Sequence, residues 1–342
     1  MSSMWVRSSR RRIVAPVVMV LALLAAPVAR VGAQEAQVDI SFSNEILPTL
    51  GLSTLDLTVT EEGLSGLPAE VTAGTHLVNF SGEGVLGYLL FAQIPEGTPA
   101  EEAIELARQS GSFDVQNPGW VYGGGTYVDP GETVSVVVTL ALGEWQVVAS
   151  AQLEGTDFET GEEYTLTPLT VAGNDATPAV SPVASPEAGL PVDVSVNMLD
   201  AAYVIDTTTA GAGPKVWEFA NTGETQAHHV VLFRTTRDIT QADMDALASG
   251  FAAATPTPAE WFTQITWVGY TALVSPGYAV YNEFDLEPGT YVMMCFIIDT
   301  ETQMPHFLMG MWTSFTVEGR SRTTVGWPVV GGPPLTSGDS TR

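Results

Sequence analysis

Two stretches of this 342-residue chain repeat one another, and the repeat narrows the possible folds more than any other feature. Pro130-Gly131 returns as Pro276-Gly277, Gly143-Glu144-Trp145 as Gly289-Thr290-Tyr291, and Val171 as Val317, all at a constant offset of 146 residues. Upstream, Tyr88-Leu89-Leu90-Phe91 answers to Val230-Val231-Leu232-Phe233, and Trp120-Val121 to Trp267-Val268. Independent drift to one spacing is improbable, so the chain reads as a duplicated unit.

Each copy reads as β. Val134-Ser135-Val136-Val137-Val138-Thr139-Leu140 is rich in β-branched residues, and Val192-Asp193-Val194-Ser195-Val196 alternates apolar and polar. Pro-Gly pairs punctuate the runs. One helix start interrupts each copy: Thr98-Pro99-Ala100-Glu101 and Thr240-Gln241-Ala242-Asp243 each offer a cap residue and an acid three positions on. The predicted architecture is all-β, two tandem Greek-key β-sandwich domains at 35–172 and 191–319, each with a short helical insertion. Residues 173–190, rich in Pro, Ala, Ser and Thr, read as an extended linker, and 320–342 as a disordered tail.

The first 33 residues read as a signal peptide. Arg7 and Arg10–Arg12 form a basic start, Ile13–Ala29 an apolar stretch, and Val31-Gly32-Ala33 a cleavage site before Gln34. Ser9-Arg10-Arg11 leaves twin-arginine export open beside the general route. Pro16 and Pro27 make the alternative, an uncleaved membrane anchor, the second choice. The expected location is secreted, periplasmic or at the cell surface. Removing the leader leaves seven basic against 39 acidic residues, a net charge of about −32. Such a surface repels nucleic acid and anionic lipid and suits cations or basic partners. A salt-adapted or GC-rich genome gives the same composition without any functional reason.

Metal-capable side chains are unevenly placed. Three of the four histidines, His228, His229 and His306, lie in the second copy with the lone cysteine, Cys295, and five of the ten methionines fall between Met293 and Met311. A single cysteine allows no intrachain disulfide, and its thiol is buried filler, reactive, paired with another chain or bound to a metal.

These segments resemble the cupredoxins, the blue-copper fold. Asn221-Thr222-Gly223 followed by Ala227-His228-His229-Val230-Val231-Leu232-Phe233 is similar to their first-histidine strand. Gly289–Cys295 is similar to their cysteine strand, and Pro305-His306 with Gly310-Met311 and Phe315-Thr316-Val317 to their second histidine, axial methionine and closing strand. The resemblance covers about 130 residues of the second copy and reaches the first only through the repeat. It implies one copper ion in the second domain alone, held by His228, Cys295, His306 and Met311, with Met309 competing for the axial place. One thiolate, two imidazoles and a weak thioether suit an ion cycling between two oxidation states. By strand alternation Tyr291, Met293 and Cys295 share an inward face, while His229 turns the other way, towards solvent. Ten residues, Phe296 to Pro305, separate Cys295 from His306, a longer loop than the resemblance leads one to expect. Asp299 and Glu301 add negative charge to it.

The first copy serves as a control. The 146 offset sets Ala149 opposite Cys295, Thr160 opposite His306 and Thr165 opposite Met311. Aligning Phe91 with Phe233 sets Leu86 opposite His228. None of these is a ligand, so the first domain reads as a degenerate cupredoxin-like domain, with His76 a surface or packing residue. The resemblance implies an exported copper-binding protein in electron transfer or copper handling, with a redox partner protein. The alternative is a metal-free binding module acting through its loops or acidic surface. An enzymatic role is not expected: four histidines and no His-x-His pair are too few for a second copper centre within the chain. No phosphate loop, Gly-x-Ser-x-Gly or His-Glu-x-x-His is present.

Overall fold

A computed structural model describes residues 37–38, 41–112, 115–153, 162–173, 189–206, 210–252 and 259–319. The expected signal peptide, residues 174–188 of the expected linker, and the expected tail lie outside the described residues. The described chain is mostly β. Its first half carries β1 (Gln37–Val38), β2 (Ser53–Thr60), β3 (Gly63–Ser65), β4 (Glu70–Thr72), β5 (Gly74–Gly82), β6 (Val85–Gln93), helix α1 (Ala100–Ser112), β7 (Val121–Val128), β8 (Thr133–Leu140), β9 (Gly143–Leu153) and β10 (Glu162–Ala172). The second half carries β11 (Val194–Leu199), β12 (Ala202–Ile205), β13 (Gly213–Asn221), β14 (His228–Thr235), helix α2 (Gln241–Ala252), β15 (Thr266–Val274), β16 (Ala279–Leu286), β17 (Gly289–Met294) and β18 (Trp312–Val317).

The halves pair their strands in the same way. β2 runs parallel to β5, as β11 does to β13, and β5–β8, β6–β7, β6–β9 and β9–β10 recur as β13–β16, β14–β15, β14–β17 and β17–β18. The 146-residue offset survives in the register: Val171 pairs with Gly143 and Val317 with Gly289. Burial follows the sequence. β2 and β11 alternate buried positions with half-buried or exposed ones, whereas β8 is buried along almost its whole length, as a strand covered on both faces must be.

The helix starts differ. Asp243 accepts hydrogen bonds from the Thr240 backbone N–H (2.9 Å) and hydroxyl (2.7 Å), so the acid half of the expected cap of α2 forms while the hydroxyl is spent on the acid. At α1 the Thr98 hydroxyl turns back to the carbonyl of Pro95 (2.8 Å). Its oxygen bonds backwards in the preceding turn, and the expected forward cap is replaced.

Two sheets, of ten and eight strands among the described residues, run through both halves. The joins are β7–β15, where Gly123 pairs with Val274, and β8–β16, where Val136 to Val138 pair with Val280 to Asn282. Glycine is required at the first join: a Cβ on Gly123 would lie 2.9 Å from the Trp145 ring, and one on Gly125 only 2.0 Å from the Leu89 carbonyl oxygen. One hydrophobic core spans both halves. Across the join Tyr127 meets Tyr270 edge-on at 4.5 Å between ring centroids. The chain before β2 fastens the two halves again. Buried Glu283 on β16 accepts the N–H groups of Glu45, Ile46 and Leu47 (2.8–3.0 Å), while Asn44 bonds Thr133 and Ser135.

The register corrects one sequence alignment. Val128 pairs with Gly87, and Val274, its counterpart at the 146 offset, pairs with His228. Gly87, rather than Leu86, therefore occupies the place of His228. A Cβ there would meet Val59 at 2.4 Å and Val128 at 2.9 Å, so apolar side chains fill the space that the imidazole takes in the second half. His76 is buried rather than on the surface. Its Nε2 lies 2.8 Å from the Thr72 carbonyl, which makes that nitrogen the donor.

Candidate metal centre

Three segments deliver the site. His228 opens β14, Cys295 directly follows β17, and His306 begins a one-turn 3-10 helix before β18. The period-two alternation of β17 places Tyr291, Met293 and Cys295 in the main core, and Val292, Met294 and Phe296 in a second cluster against α2.

The ten residues between Cys295 and His306 fold back on themselves. Asp299 Oδ1 accepts the N–H groups of Glu301 (3.1 Å) and Thr302 (2.5 Å) and the Thr302 hydroxyl (2.6 Å). Antiparallel bonds then return the chain: Asp299 N–H to Met304 O, His306 N–H to Ile297 O, and Phe307 N–H to Cys295 O (2.8–2.9 Å). The extra length is taken up by an acid-stabilised turn, and His306 comes back beside Cys295. Gly310, at φ 113°, ends the 3-10 turn in a conformation that favours glycine. The Met311 N–H then reaches His306 O (3.0 Å) and its carbonyl accepts from Cys295 N–H (3.1 Å).

His228 Nδ1 lies 3.2 Å from His306 Nδ1, and Cys295 Sγ lies 4.0 Å and 3.6 Å from those two nitrogens. The three side chains are fully buried, and Met311 is buried in the same core cluster as Cys295. The Met309 sulfur lies 3.5 Å from the Thr302 hydroxyl oxygen, on the side of the acid turn. An ion about 2.0–2.3 Å from each donor would separate nitrogen and sulfur ligands by roughly 3.3–3.8 Å, so the triangle has the dimensions of a metal site. Among the described residues this is the one group of three histidine, cysteine or carboxylate side chains with such convergence.

Burial, and then the neighbouring His306, push His228 down to about 3, with Asp200 opposing and His229 adding. Burial pushes His306 down to about 4 against the pull of Asp299. Both imidazoles are therefore neutral near pH 7, the form in which they donate a lone pair to a metal.

His229 does not face solvent as the sequence suggested. It is fully buried, and its Nε2 accepts the Phe296 N–H at 2.8 Å, because strand alternation turns it into the layer beneath β17 rather than outward. Residues outside the expected set also reach the site. The buried hydroxyl of Tyr203 on β12 donates to the His229 carbonyl (2.5 Å). Burial first, then the charge of Cys295 and a hydrogen bond with it, push that hydroxyl well above its ordinary range. Gln226 Oε1 lies 3.2 Å from His306 Nε2. Gln226 stands two residues before His228, which is the only sequence signal it carries; Tyr203 carries none.

No family model matches the chain, and no curated protein does. Among solved structures it is similar to auracyanin B at 24% identity, covering 36% of this chain and 86% of that one, with a TM-score of 0.23. It is similar to a dithionite-reduced auracyanin from Roseiflexus castenholzii at 20% identity, covering 36% and 94%, with a TM-score of 0.23. It is also similar to a copper nitrite reductase from Nitrosomonas europaea at 12% identity, covering 77% and 93%, with a TM-score of 0.20.

Proposed function

We propose that this chain is an exported copper-binding protein of two cupredoxin-like, Greek-key domains, acting in electron transfer or copper handling. One ion is held in the second domain by His228, Cys295, His306 and the weaker thioether of Met311. The observation that carries this reading is the convergence of Cys295 Sγ and two imidazole nitrogens within 4.8 Å of one another, fully enclosed. A thiolate, two neutral imidazoles and a nearby thioether suit copper in both its common oxidation states, whereas zinc would leave the methionine without a purpose. The repeated strand pairing supports the two-domain reading, and the first domain then serves as scaffold. Full enclosure of the three side chains suits passing electrons or holding the ion. We read the partner as a redox protein with a basic face, matched to the acidic surface, and the leader as placing the protein outside the cytoplasm.

Titration of the mature protein with Cu(II), followed by visible absorption, tests the function. One equivalent should produce an intense thiolate-to-copper band that Cys295→Ala abolishes. Cu(I) binding under reducing conditions should raise the melting temperature. A protein that takes up no copper in either state and shows no thermal shift would instead be the metal-free binding module.

A further inference from the structure

We infer that Gln226 is a positioning residue: clamped by Asp299 and by Gln116 of the first half, its amide oxygen holds His306 as the Nε2–H tautomer and so presents Nδ1 to a metal. The argument follows obligatory donors and acceptors. Asp299 Oδ1 accepts from Glu301, from Thr302 N–H and from the Thr302 hydroxyl, and Oδ2 lies 2.5 Å from the Gln226 amide nitrogen. The two backbone N–H groups are obligatory donors that stabilise the charged carboxylate, and an ionised Oδ2 can only accept, so the Gln226 –NH2 faces it. Gln226 Oε1 is thereby turned towards His306 Nε2 (3.2 Å), where it also receives the Thr300 N–H (3.4 Å). An amide oxygen cannot donate, so the proton between them sits on His306 Nε2.

Gln116 locks the arrangement from the other half. Its Oε1 accepts the Ala227 N–H (3.0 Å), which leaves its –NH2 to donate to Gln226 Oε1 (2.7 Å). Two backbone donors, the Ala227 and Thr300 N–H groups, and one acceptor, the Asp299 carboxylate, thus fix two amides that would otherwise flip freely. A neutral imidazole with its proton on Nε2 has its lone pair on Nδ1, the atom that faces His228 Nδ1 and Cys295 Sγ. Outer partners of this kind orient metal-binding histidines generally. Here one of them comes from 110 residues upstream, in the loop between α1 and β7, which gives the first half a direct part in the site.

The positioning role towards copper rests on the function proposed above, but the tautomer does not, and the test separates them. Long-range proton–nitrogen spectra of the metal-free full-length mature protein, labelled at histidine, report the tautomer of each ring. His306 should be Nε2–H in the native protein. Its Nδ1–H form should gain population in Gln226→Met, which keeps the volume and removes the acceptor. Gln116→Met should give a smaller change in the same direction, and it covers the case in which the first variant does not fold. A native His306 protonated on Nδ1, or tautomers unchanged in every variant that folds, overturns the clamp. In copper-loaded protein Gln226→Met should bind about ten-fold more weakly, with a shifted absorption band. Copper affinity and band unchanged from native overturn the positioning role. A native protein that binds no copper refutes the proposed function, and the tautomer spectra alone then uphold or overturn the clamp.

Discussion

At the scale of single residues, the two halves differ most sharply where Gly87 stands in the register of His228. Gly87→Ala should cost about 1–3 kcal/mol, because the new methyl group drives into Val59 and Val128 in a filled interior, and a lowered urea midpoint would record it. The residue types of the site were open to sequence reading because cysteine and histidine are so scarce that their clustering was visible. The correct partner of His228 was not, because irregular pairing interrupts both β6 and β14, and an alignment through Phe91 and Phe233 slips by one residue there. The histidines also set a pH dependence. Both are pushed below 6.5 in the fold, to about 3 and about 4, so between those values and 6.5 the unfolded chain binds more protons than the folded one. Stability of the metal-free protein should therefore fall as pH drops from 6.5 towards 4, by up to about 1.4 kcal/mol per pH unit for each histidine. Denaturant titrations across that range measure it, and His228→Leu should flatten the slope.

At the scale of elements, the segment between Cys295 and Phe307 decides whether the site assembles. Its length exceeds what the resemblance led one to expect, but its sequence contains the remedy in Asp299, whose carboxylate gathers the following backbone amides. Asp299→Ala should cost about 1–3 kcal/mol and expose the Glu301 and Thr302 amides to hydrogen exchange while β17 stays protected. The charge of Asp299 was visible in the sequence, and its task was not, since a turn acceptor and a surface acid look alike until the backbone curls around one of them. Strand alternation was a better guide: the assignment of Tyr291, Met293 and Cys295 to one inward face required only a period of two.

At the scale of the whole molecule, the repeat announced like halves but gave no hint that their sheets merge. Gly123, Gly124 and Gly125 would ordinarily mark a weak strand. In the fold their missing side chains let β7 lie against Trp145, Val280 and the backbone of Leu89. With paired strands, a common core and Glu283 anchoring the upstream segment, the halves should melt together. Calorimetry should show one transition whose calorimetric and van't Hoff enthalpies agree, and two resolved peaks would contradict this. The sealed position of Cys295, His228 and His306 has an electrical meaning as well. A sulfur anion paired with a monovalent ion sums to zero, whereas the divalent ion leaves one uncompensated positive charge. With the proposed copper bound, an interior cut off from water would penalise the second state more than the first, so the protein matrix would lean the couple towards accepting an electron, and the carboxylates of Asp200 and Asp299 would moderate the lean.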